Sequence, residues 1–219
     1  MENIRLILLF LHIAGGTVSL ITGFYNIINR KGSKIHRKNG FVYVLGMFLA
    51  TLSGILLAFI GDNQFLFLIG VFSFYLAFSG YRILSIKDPL NAKKIDFIIA
   101  FITAFFAVYM IFSSFKISDG LLKSINPITI VFGLISLIYS VVDLFLFYGK
   151  RKAQKNHWLF NHIIRMMASY ISAVTAFLVV NITMLPPLVI WLGPSVVGSV
   201  LISIFINKYK RKLKVNESV

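Results

Sequence analysis

Seven long apolar stretches, separated by short loops whose positive charge alternates from one side to the other, decide what this chain can fold into. Each is about 20 residues, the length a helix needs to cross a ~30 Å hydrocarbon core. A spanning segment must satisfy its own backbone hydrogen bonds in lipid, so the stretches read as helices. The period-2 alternation of a membrane barrel is absent. The spans drawn from the sequence are 4–28, 41–60, 65–86, 97–117, 128–148, 158–182 and 188–207. The expected architecture is an all-α polytopic membrane bundle. Residues 1–207 form a single transmembrane domain and 208–219 a basic tail. The first stretch reads as a retained helix, because no small-x-small site follows a polar boundary.

The loops orient the bundle. After span one come Arg30, Lys31, Lys34, Arg37 and Lys38. After span two stand only Gly61, Asp62, Asn63 and Gln64, and after span six only Met184-Leu185-Pro186-Pro187. The odd-numbered connections and the tail hold 18 of the 22 basic residues. Short cytoplasmic loops are enriched in Lys and Arg, which predicts an outside N-terminus and a cytoplasmic C-terminus in a bacterial inner membrane. The net charge of +15 sits beside apolar spans, so it points to anionic lipid at the inner loops and tail, not to nucleic acid. The loop after span four adds Lys116, Asp119 and Lys123. With no cysteine, thiolate chemistry and disulfides are excluded.

Inside the spans, small and polar residues form stripes at helical spacing. Span one carries His12, Gly16, Ser19, Gly23 and Asn26. Span five carries Gly133, Ser136, Ser140 and Asp143; span six carries His162, Arg165, Ser169, Ser172 and Ala176. Spans two and three show only small residues, which let membrane helices approach closely. The ionisable residues on spans one, five and six ask for more. A charge at the bilayer centre costs at least ~2.5–3.5 kcal/mol and faces a partner or a wet cavity. A rise of ~1.5 Å per residue puts Asp143 about 8 Å and Arg165 about 11 Å below the inner surface. They are expected to pair.

From these residues a polar cavity is expected between spans one, five and six. Arg165 would hold a small anionic or amphipathic ligand, and His12, His162 and Asp143 would handle protons, with Ser19 and Ser169 beside them. Haem b held by His12 and His162 is the competing cofactor, although the depth estimate separates them by about 11 Å. A non-catalytic assembly subunit is the third reading. No H-E-x-x-H, G-x-S-x-G or paired acidic metal site is present, and span seven lacks the Lys a retinal Schiff base needs.

Two short motifs carry a resemblance. After span one stands HRKNGFVY, with His36, Arg37, Gly40 and Tyr43. In span six stands HIIRMMASY, with His162, Met166 and Tyr170. With His12 in the first helix, this resembles a bacterial family of multipass membrane proteins known as a domain of unknown function. Its pattern is a first-helix His, then H-R-x-x-G-x-x-Y in a loop, then H-x-x-W-M-x-R-x-Y. Here Arg165 stands at the Trp position and Ala168 at the Arg position. The resemblance brings no activity. It implies only that the motif residues are positions to test.

Overall fold

A computed structural model describes residues 2–118 and 121–217. Among them seven helices are long and apolar enough to cross a membrane. They are α1 (Glu2–Ile28), α2 (Lys34–Ile60), α3 (Gln64–Ile86), α4 (Lys94–Ser113), α5 (Pro127–Phe147), α6 (His157–Asn181) and α7 (Pro187–Glu217). The protein is an integral multipass membrane protein. Phe10, Phe59, Phe105 and Phe112 are each about 70% exposed on the outer surface. Rings so placed suit acyl chains and not water.

Three boundaries differ from the sequence reading. Helix α2 begins at Lys34, seven residues early, because Ser33 caps it by accepting from the His36 amide at 3.1 Å. His36 and Arg37 therefore stand on a helix and not in a loop. Gly32 makes the preceding turn at φ +77°, where a Cβ is strained. Ser33→Ala is expected to lower stability by about 1 kcal/mol, read from thermal unfolding in detergent. Helix α4 stops at Ser113, and the chain forms an antiparallel hairpin of β1 (Phe115–Ser118) and β2 (Leu121–Ile125). Asp119 lies outside the described residues. Helix α7 runs through Pro194 without a break and continues to Glu217, so the basic residues after 207 stand on the same rod as span seven. Residues 218–219 are outside the described residues.

The order of packing places the site. Half of the most apolar stretch of α3 is buried, against 11% for α1 and α7. So α3 is the central rod and α1 and α7 form the rim. Neighbours along one arc are α1–α2, α2–α3, α3–α6 and α6–α7, while α4 and α5 pair on the other side of α3. The α1–α2 contact is close because both backbones are bare. A Cβ on Gly15 would sit 2.8 Å from the Ala50 nitrogen and the Gly46 carbonyl oxygen. Gly16, the residue expected on this stripe, faces open space. A Cβ on Gly133 would press on Ile111 of α4 at 2.8 Å. Leu68, Phe72, Leu76, Met110 and Phe132 form the apolar core where α3, α4 and α5 meet. The loops α1–α2, α3–α4 and α5–α6 and the last turns of α7 share one end of the bundle, called the basic end below.

Candidate functional site

The polar residues gather in two separate places. Among the described residues α1 and α5 do not pack together, so the polar residues of spans one, five and six do not line a single shared cavity.

The first place is an ion pair. Arg165 on α6 grips Asp143 on α5 through both terminal nitrogens, Nη1 to Oδ2 at 2.5 Å and Nη2 to Oδ1 at 2.6 Å. The Tyr75 hydroxyl on α3 donates to the same carboxylate. Arg165 is 1% and Asp143 3% exposed. The guanidinium also stands 5.2 Å from the ring centre of Tyr139. Two parallel N–H···O bonds fix both distance and plane, which suits Arg better than Lys. The expected pair therefore forms. Its third nitrogen, Arg165 Nε, has no protein acceptor. Beside it lies a void of about 20 Å³, room for one water. The same void reaches a second ion pair that the sequence reading missed: Arg82 Nε and Nη2 on Asp96 at 2.8 and 3.0 Å. Asp96 also accepts from the Lys93 amide at 2.7 Å and so starts α4. By sequence, Arg82 is one of the 18 basic residues of the odd-numbered connections and the tail. Its place inside span three, with an acid near the start of the next span, was the available signal.

The second place is larger. At the basic end, α1, α2, α3, α6 and α7 surround a cavity of about 720 Å³. That size suits a drug-sized molecule. His36, Arg37, Gly40 and Tyr43 of the α2 motif line it. So do His162, Met166 and Tyr170 of the α6 motif. His12 does not. The wall is mostly apolar and aromatic, with Phe41, Tyr81, Trp158, Phe205 and Tyr209 among its surfaces. Its charged side chains are Lys31, Arg37 and Lys87; no carboxylate lines it among the described residues. Lys31 donates to the last carbonyls of α1, Asn26 O and Ile27 O, and stands 5.0 Å from the Phe205 ring centre. Burial first, and the Lys208 ammonium second, push its pKa down to about 8. The attraction of an anion beside it would oppose both effects. Two buried polar atoms here have no protein partner, Asn26 Oδ1 and His36 Nδ1.

Hydroxyl groups tie the helices together above this cavity. Ser19 of α1 donates to the Tyr43 carbonyl at 3.3 Å, and the Tyr43 hydroxyl meets the Ser169 hydroxyl at 2.6 Å. Tyr170 donates to the Leu20 carbonyl at 3.3 Å. Ser19 and Ser169 thus join α1, α2 and α6, and neither bonds Asp143 among the described residues.

Both membrane histidines brace helices. His12 donates from Nδ1 to the Ala50 carbonyl, and His162 does the same to Gly80, each at 2.8 Å. His12 is seven residues from Ser19 and His162 seven from Ser169, in opposite directions from the level that Tyr43 ties together. They are therefore about 20 Å apart along the bundle. Two axial ligands of one haem iron must meet across a few ångströms, so His12 and His162 do not fit that role.

Residues 9–118, half of the chain, match a family model described as "Predicted membrane protein (DUF2306)". The match spans α1 to α4 and includes His12, His36, Arg37, Gly40 and Tyr43; the α6 motif lies beyond it. No curated protein and no solved structure matches the chain. With seven apolar helices and a match over half its length, the chain belongs to this family of membrane proteins of unknown function.

Proposed function

We propose that this protein binds an amphipathic anion in the cavity at its basic end, and that this end faces the cytoplasm of a bacterial inner membrane. The observation that carries the reading is the lining: three cationic side chains, no carboxylate, and an otherwise apolar and aromatic wall. Unbalanced positive charge in a half-dry site favours an anion, and the aromatic wall favours an apolar body attached to it. His36 Nδ1, still unmatched by the protein, can donate to an anion when it carries the ring proton. Arg165, the expected ligand holder, is already spent on Asp143 and does not line the cavity. The cytoplasmic orientation rests on the Lys and Arg of the odd loops. Lys208, Lys210, Arg211 and Lys212 extend the basic surface along α7 toward anionic headgroups.

The chain provides its own reporter. It has two tryptophans. Trp158 lines the cavity, while Trp191 packs on Phe65 and Phe132 near the opposite end. In detergent-purified Trp191→Phe protein, 9,10-dibromostearate is expected to quench Trp158 saturably. The corresponding uncharged dibromo alcohol should quench only weakly and without saturation. Arg37→Ala/Lys87→Ala should weaken the carboxylate by about tenfold or more, as expected for losing charged hydrogen bonds. Equal, unsaturable quenching by both probes would refute the proposal.

A further inference from the structure

The helices around the cavity form an incomplete ring. Each neighbour packs on the next from α1 through α2, α3 and α6 to α7, but among the described residues α7 does not return to pack on α1. Helix α6 closes on α1 only higher up, where Tyr170 donates to the Leu20 carbonyl. At Gly23 the approach is so close that a Cβ would strike the rings of Tyr170 and Tyr43. Below that level the wall between α1 and α7 is made of side chains alone. Lys31 reaches from the end of α1 to the Phe205 ring of α7 across it. On the outer surface Phe24 and Ile28 of α1 and Ile204 of α7 are each more than half exposed, so residues that suit acyl chains flank the place where α1 and α7 do not pack together.

We infer that the space between the basic halves of α1 and α7 is a side entrance from the bilayer, and that the ligand is a single-chain amphipathic anion dissolved in the adjoining leaflet. This rests on the binding reading above and adds the route and the source. The charges fit the route. Lys31, Arg37 and Lys87 lie at or near the helix ends of the basic end, at headgroup depth, while Gly23, Tyr43 and Tyr170 lie deeper. An anion whose head stays at the headgroup level can slide its chain sideways between the helices without carrying its charge through hydrocarbon, where that charge would cost several kcal/mol. A water-soluble anion would have no need of the opening between α1 and α7.

The chain lacks cysteine, so a bridge across the entrance is clean to build. Ile27 and Phe205 are close, because Lys31 Nζ lies 2.7 Å from the Ile27 carbonyl oxygen and 5.0 Å from the Phe205 ring centre. Ile27→Cys/Phe205→Cys on the Trp191→Phe background would be reconstituted in phosphatidylcholine vesicles. It would then be treated with a short bis-maleimide or with a monofunctional maleimide. Vesicles carrying 9,10-dibromostearate deliver the probe, and the rate of Trp158 quenching is followed. The bridge is expected to slow quenching at least tenfold relative to the monofunctional adduct. Phe205→Ala without any bridge is expected to speed it. Equal rates for bridged and unbridged protein, with saturable quenching kept, would overturn the side entrance and leave the binding reading standing. Absence of saturable quenching in the unmodified Trp191→Phe parent would overturn both.

Discussion

Arg165→Leu is expected to destabilise the protein by about 3–5 kcal/mol, and Asp143→Leu by a similar amount, in equilibrium unfolding from mixed micelles. The size follows from what is left behind. Removing Arg165 leaves a buried carboxylate compensated, among the described residues, by the Tyr75 hydroxyl alone. Removing Asp143 leaves a guanidinium that is 1% exposed among aromatic rings. The double variant Arg165→Met/Asp143→Leu should recover most of the loss, because no charge then lacks a partner and the volume is nearly kept. It should also keep saturable quenching of Trp158 by the anionic probe, since neither side chain lines the cavity. A single variant within 1 kcal/mol of the parent would refute the assignment of the pair as the main tie between α5 and α6. A stable double variant that no longer binds would show that the pair serves the ligand after all.

Gly80→Val should be the most damaging glycine change at the α3–α6 contact. A Cβ there would lie 2.9 Å from the Arg165 Cβ and 3.1 Å from the Met166 sulfur. The Gly80 carbonyl also accepts the His162 ring proton at 2.8 Å. Helix α6 must retreat, and overpacking of this kind costs typically 1–3 kcal/mol. The retreat displaces His162 and Met166 from the cavity and strains the Arg165 grip on Asp143. Stability and probe affinity are therefore expected to fall together. Gly16→Val is the control. Nothing lies within 4 Å of its added Cβ, so it should stay within about 0.5 kcal/mol of the parent. Circular dichroism melts and Trp158 quenching on the same samples would separate the two variants.

The spans and the Arg165–Asp143 pair were legible in the sequence for the same reason. Hydrocarbon thickness fixes helix length, and the rise per residue fixes depth, so two opposite charges at similar depth on successive spans have few other places to go. The start of α2 was harder to read. Basic residues around His36 resemble a loop until Ser33 is recognised as a cap, after which two turns of helix stand in the headgroup region. The choice between Gly15 and Gly16 was not legible. They lie about 100° apart on α1, and only the approach of Gly46 decides which one α2 covers. The cavity was hidden for a different reason. In the sequence, Lys31 and Lys87 belong to separate loops, where basic residues mark topology, and Trp158 opens span six. They become neighbours only because α3, α6 and α7 pack side by side. Asp96 was passed over because a lone acid at a helix start is common, and its partner Arg82 is 14 residues away.

The carboxylate of Asp143 receives bonds from two other helices at once, Tyr75 from α3 and Arg165 from α6. Three rods pinned at one point, and pinned by directional bonds, cannot slide or twist separately. Helix α1 is fastened to α2 by bare backbone at Gly15 and Gly46. Helix α7 is held from one side: Gly198 lies against Ile171 of α6 so closely that a Cβ would strike it, Trp191 rests on Phe65 of α3, and α5 is touched lightly. The molecule is in this sense a stiff trunk with one stave hung from a single side. If it breathes within the bilayer, α7 on the rim is the part that swings, and the cationic residues beyond 207, on the same rod, move with it.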